Sequence, residues 1–165
     1  QSEFTLDCYF CVGLTEIFNE LTEGYEPHEH VKNLFSALCK STNFKNDEIV
    51  EISNTTINEH QNKSLEEIFN LVIEKSSKKL YYSRILMLGI YKILTKANDF
   101  KDNEDITKIK IISELAEKLE LPLTRAEKDI SIYKTSIKRL SQARELLKET
   151  VLADRKKRED KNKKN

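Results

Sequence analysis

The stretch Leu80–Leu94, LYYSRILMLGIYKIL, decides the fold. From Leu80 to Leu94 it is apolar on nearly every face of a helix, a pattern that belongs to a central helix surrounded by others. The apolar run from Ile85 to Tyr91 is far shorter than the ~20 residues that cross a bilayer, so it is read as buried in protein rather than in lipid. Gly89 within it costs roughly 1 kcal/mol relative to Ala, and a close helix crossing at that point is the expected compensation. Tyr81, Tyr82, Ser83 and Arg84 stand at the start of this helix. The tyrosines and Arg84 are open to two readings. They are core or boundary residues with Arg84 satisfied by an acidic neighbour or by helix-end carbonyls, or they anchor a recognition surface, for which Tyr and Arg are typical.

Composition agrees with an all-α chain. Three Gly, two Pro and no Trp among 165 residues leave little to build strands and tight turns from, while 34% charged residues rich in Glu and Lys suit helices. With 38% apolar residues the chain supports one modest core. Three cysteines, an odd number, argue against a disulfide framework and for a reducing interior such as cytosol or organelle matrix. A start at Gln1 rather than Met is expected of a fragment whose targeting signals are out of view.

Working outward from Leu80, SLEE at Ser64–Glu67 is a capping box leading into Leu65, Ile68, Phe69 and Val72. A thinner helix from about Asp47 to His60 carries Ile49, Ile52 and Ile57. Further upstream, a helix within Phe4–Leu21 and a second with the stripe Val31, Leu34, Phe35 and Leu38 are expected to form a hairpin, with Gly24 at positive φ and Pro27 in the next first turn. Downstream of the central helix, NDFKDNED is a loop. Ile106, Ile109, Ile112, Leu115 and Leu119 then make a helix that ends before Pro122. TRAE at Thr124–Glu127 reads as a second capping box, after which neither Gly nor Pro occurs. Ala126, Ile130, Tyr133, Ile137, Leu140, Leu147 and Val151 follow coiled-coil-like spacing, interrupted by Arg144.

The expectation is therefore a single helical domain of six to seven helices. A bundle body over 1–123 is followed by a long C-terminal helix over 124–165 that packs on the body and ends in a basic tail. Running from Thr124 to about Asp160, such a helix is roughly 55 Å long at ~1.5 Å per residue and exceeds the roughly 40 Å diameter of a domain this size, so its last turns should project. Asp154–Asn165 holds seven basic residues against three acidic ones, which leaves 21 basic and 25 acidic elsewhere out of 28 of each. Zero net charge thus hides an acidic body and a basic end. Such an end complements the helix macrodipole; it can also dock on an acidic protein or lipid surface.

The chemistry-bearing patterns are sparse. Cys8 and Cys11 form C-x-x-C and His28 and His30 follow, but a first helix of this length separates the histidines from the cysteines by some 20 Å. Cys39 is better placed to approach Cys11, and three thiols without a fourth ligand make a poor zinc site. His60 is assigned no role. Nucleophile elbows, Gly-rich phosphate loops and pocketed carboxylate pairs are missing. The chain reads as non-enzymatic, with no cofactor or metal expected. Nucleic-acid binding through the tail is the alternative, disfavoured because no aromatic follows Tyr133 and Asp154, Glu159 and Asp160 interrupt the charge.

Three stretches in order, Ile17–Ser41, Tyr81–Leu94 and Leu119–Glu159, resemble the thylakoid formation protein family, also called the photosystem II biogenesis protein family, of cyanobacteria and chloroplasts. Gly24, Tyr25 and Pro27 before Phe35, Ala37 and Leu38 carry the likeness, with Tyr82, Ser83, Arg84 and Gly89, and then Ala153, Asp154, Arg155 and Lys156. The resemblance implies a helical, non-catalytic accessory factor in thylakoid biogenesis and photosystem II assembly or repair. It implies association with the membrane FtsH protease complex and a peripheral position on the cytoplasmic or stromal face of the thylakoid. With that implication the candidate partner-binding residues are Tyr81, Tyr82, Arg84, Arg155, Lys156, Lys157 and Arg158.

Overall fold

Eight of the eleven residues of Arg84–Leu94 are buried, and the rest of the first structural unit is assembled around them. The computed structural model describes residues 6–76 and 80–162, with side chains to residue 159. Among these residues there are seven helices and no strands: α1 (Cys8–Leu21), α2 (His28–Ser41), α3 (Asn46–Glu59), α4 (Leu65–Lys75), α5 (Arg84–Leu94), α6 (Asp105–Lys118) and α7 (Leu123–Asn162). The chain divides into two compact units, Gln1–Ser131 and Ile132–Asn165.

In the first unit α1 packs mainly on α5 and on α3, α4 lies against α5 and α6, and α2 rests on α3. The expected close crossing at Gly89 is present, and its partner is Gly13. A methyl group added at Gly89 would lie 1.8 Å from the Tyr9 carbonyl oxygen, and one added at Gly13 would lie 2.1 Å from that of Ile85. Backbone therefore meets backbone, which only glycine permits. Lys92 of α5 pairs with Glu20 of α1, and Lys96, just past the end of α5, pairs with Glu16 of α1 at 2.9 Å.

Local chemistry sets most helix ends. Asp7 caps α1 by accepting from the amides of Tyr9 and Phe10, and Ser64 with Glu67 forms the capping box of α4. Gly24 takes φ +75° in the turn after α1. After α2 the Phe44 amide donates to Cys39 O at 2.9 Å and Asn43 sits at φ 59°; after α6 the Leu121 amide donates to Ala116 O at 2.8 Å and Glu120 sits at φ 54°. Both are Schellman turns. The loop after α5 is tied to the start of α4, where the Leu65 amide donates to the Asp99 carboxylate and the Asn98 amide to Lys63 O.

Several expectations are corrected. α5 starts at Arg84, because the Ser83 hydroxyl accepts from the Leu86 amide and caps the helix there, leaving Tyr81 and Tyr82 outside the helix. The helix expected from Thr124 begins at Leu123, and the first helical bond runs from the Ala126 amide to Pro122 O. Thr124 is thus inside the helix and does not cap it. Phe4, where the first helix was sought, lies outside the described residues. α2 buries only Phe35 and Cys39, because it meets α1 and α3 along one edge, and Leu34 and Leu38 face solvent. α6 packs through Ile112, Leu115 and Ala116, so Ile106 and Ile109 on its first turns are exposed.

Candidate functional site

Ser83 determines what its neighbours do. By capping α5 it places Tyr82 and Arg84 on either side of the cap, and both reach the same carboxylate. The Tyr82 hydroxyl donates to Asp129 Oδ2 at 2.6 Å and Arg84 Nε donates to Asp129 Oδ1 at 2.9 Å. Asp129 is 3% exposed. A carboxylate so buried is tolerated because charge-assisted hydrogen bonds occupy both oxygens. Burial pushes the Tyr82 hydroxyl well above its ordinary pKa, and the hydrogen bond to Asp129 and that residue's negative charge push it further. The Arg125 guanidinium lies 4.9 Å from the centre of the Tyr82 ring, a cation–π contact. Beside this group a cleft of about 520 Å³ is lined by Arg84, Pro122, Leu123, Thr124, Arg125, Lys128 and Asp129.

Of the candidates singled out in the sequence, Tyr82 and Arg84 are therefore brought together, whereas Tyr81 is 72% exposed and outside the Asp129 contacts. Arg84 is paired through Nε yet keeps 62% of its side chain exposed. Sequence reading missed Asp129, Arg125 and Lys128. A signal for Asp129 was present: it interrupts the apolar face of the last long helix between Ala126 and Ile130, where a carboxylate has to find partners.

A second polar group is buried where α1 and α3 meet. His60 Nδ1 lies 2.7 Å from Thr56 O, and a carbonyl can only accept, so Nδ1 carries the proton and the bare Nε2 accepts from the Tyr9 hydroxyl at 3.3 Å. Burial holds His60 below its ordinary pKa, with Lys75 and Lys63 acting the same way against Thr56 O and Glu59. Cys11 and Cys39 join Phe35 and Ile49 in one hydrophobic cluster, and burial pushes the Cys11 thiol up to about 12. Cys8 is half-buried, and its thiol too is raised by burial. Among the described residues no group of three or more His, Cys, Asp or Glu is placed to hold a metal ion. His28 and His30 are exposed on α2.

In α7 the expected seam is buried at Ala126 and Ile130 and half-buried at Tyr133, Ile137 and Leu140; past Arg144, Leu147 and Val151 are exposed. Arg155, Lys156, Lys157 and Arg158 are all exposed. None of the four has an ion-pair partner among the described residues. No helix among those residues is long and apolar enough to cross a membrane.

Fold and site together define an all-helical protein whose most organised polar group holds two parts of its own chain together beside a cationic cleft. The profile of the thylakoid formation protein family matches residues 1–162. The chain belongs to that family. It is 52% identical over 157 residues to protein Thf1 of Prochlorococcus marinus strain MIT 9312, covering 95% of this chain and 78% of that protein. Protein Thf1 of Prochlorococcus marinus subsp. pastoris strain CCMP1986 is 53% identical over 156 residues, covering 94% of this chain and 77% of the relative. A solved structure of Psb29 superposes with a TM-score of 0.78 at 23% identity, over 96% of this chain and 80% of that one, and shows the same helical fold.

Proposed function

We propose that this chain is a non-catalytic accessory factor in thylakoid formation and photosystem II assembly or repair, peripheral to the cytoplasmic or stromal face of the membrane, and that it acts through association with the membrane FtsH protease complex. The observation that supports the docking element is the run Arg155–Arg158: four adjacent cations, all exposed, near the end of a 40-residue helix in a member of this family. Basic side chains at that end suit the helix dipole, so the helix holds its shape without a partner and presents its charge to an acidic surface.

The test is affinity capture from detergent-solubilised thylakoid membranes with the whole chain and with a variant in which Arg155, Lys156, Lys157 and Arg158 are replaced by Glu. FtsH subunits should be retained by the first and lost by the second, with the far-ultraviolet circular dichroism of the two alike. Equal retention would remove the tail from the mechanism, and no retention by either would remove FtsH as the partner.

A further inference from the structure

Asp129 faces inward with both oxygens occupied, so it is already committed when the cations around the cleft are considered. Arg84, Arg125 and Lys128 line that cleft and Asp129 is the one carboxylate among its described lining residues, an excess of two positive charges among them. Neither Arg125 nor Lys128 has an ion-pair partner among the described residues. We propose that this cleft docks an acidic segment of a protein partner, whose carboxylates are held by Arg84, Arg125 and Lys128.

Arg84 is the orienting member. Asp129 takes the Nε of its guanidinium, which leaves the Nη edge, a planar fork matched to a carboxylate, on a side chain that stays mostly exposed. Because Asp129 already fixes the plane of that fork, binding costs it little additional rotamer freedom. Arg125 is steadied in the same way by the Tyr82 ring. The first turn of α7 contains no acidic side chain to compete for this position. Pro122 and the 38% exposed Leu123 give the cleft an apolar wall beside its charges. Cations in a concavity next to apolar side chains suit a peptide with alternating acidic and apolar residues. An anionic lipid surface is met instead by cations spread over an exposed face.

This site lies wholly within the first unit, so it stands independently of the Arg155–Arg158 run. The whole chain is titrated into a fluorescein-labelled peptide of alternating Glu and Leu, followed by fluorescence anisotropy across a salt series. Affinity should fall as salt rises, and R125E combined with K128E should lower it about tenfold. Reversal of the four tail charges should change it by less than about twofold. Both substituted side chains are exposed, so circular dichroism should match the parent. R84K, which keeps the charge and loses the fork, should lie between parent and double variant. Parent-like binding by R125E/K128E overturns the proposal, as does loss of binding on tail reversal alone. Displacement of the peptide by millimolar inorganic phosphate would show a simple ion site, and binding to phosphatidylglycerol vesicles in place of the peptide would show a lipid site; either result also overturns it.

Discussion

Every residue of α5 from Leu86 to Leu94 except Lys92 is buried, whereas every side chain of α7 from Glu145 to Glu159 is exposed. The first helix is held by its neighbours and has little freedom to vary; the second is held by its own backbone hydrogen bonds and by the fit of its charges to the helix dipole. One consequence is a difference in what the residues can be used for. In α5 most side chains are consumed by packing, and at its start the Ser83 cap leaves Tyr82 and Arg84 to bind the Asp129 carboxylate. In the distal half of α7 packing asks for almost nothing, and the side chains are available to a partner.

Substitutions should reproduce this contrast in order of size. Replacing Gly89 with Ala drives a methyl group into the Tyr9 carbonyl, and the α1–α5 pair has to separate; a loss of about 3 kcal/mol or more is expected. Thermal or urea unfolding measures it, and a parent-like midpoint would mean the two backbones are not in contact. Next is Asp129→Ala, which leaves the Tyr82 hydroxyl and Arg84 without their shared acceptor and should cost about 2 kcal/mol. Asp129→Asn, which still offers one acceptor oxygen, should cost less, and the reverse order would show that the Tyr82 and Arg84 bonds to this residue do not stabilise the fold.

Acid should act through His60. Its folded pKa lies below the ordinary value of 6.5, so between the two values the unfolded chain binds a proton that the folded chain does not. The stability contributed by neutral His60 is therefore fully present above about pH 6.5 and declines as pH falls toward the folded value, by at most about 1.4 kcal/mol per pH unit. Urea midpoints of the parent and of His60→Gln between pH 7 and pH 5 isolate this slope; parallel curves would show that the ring does not titrate on unfolding. Smaller, and of opposite sign, is Glu120→Gly. It relieves a left-handed residue in an exposed turn and should raise stability by about 1 kcal/mol at most. The smallest effect belongs to the distal helix: charge reversal at Arg155–Arg158 should shift the unfolding midpoint by no more than about 0.5 kcal/mol, and a larger shift would mean these side chains already have partners within the protein.

Features written in a few adjacent residues were legible in advance. The Ser64–Glu67 box, the positive φ of Gly24, the absence of Gly and Pro from the last helix and the close crossing at Gly89 all follow from local chemistry. So did the approach of Cys39 to Cys11, since two helices of equal length joined by a turn bring their far ends together. What was not legible depends on which helix arrives where. Periodicity marked Leu34, Leu38, Ile106 and Ile109 as an inner face, but a face is buried only as far as a neighbour covers it. His60 looked like an isolated polar residue because Tyr9, its partner, is 51 positions away. Arg84 was half legible: an acidic neighbour was one of the partners left open for it, and its identity required Asp129 to be delivered by a helix 45 positions later.

The α1–α5 junction also bears on how the chain is made. Glu20 and Lys92, which pair along it, are 72 positions apart. At roughly 5–20 residues per second, a ribosome needs roughly 4–15 s to synthesise the chain between them. For that interval α1 has been made and its principal partner has not, so Val12 and the tight glycine surface around Gly13 stay uncovered. Much of the core closes only after translation has passed Leu94, and until then α3 is the principal neighbour of α1 already made.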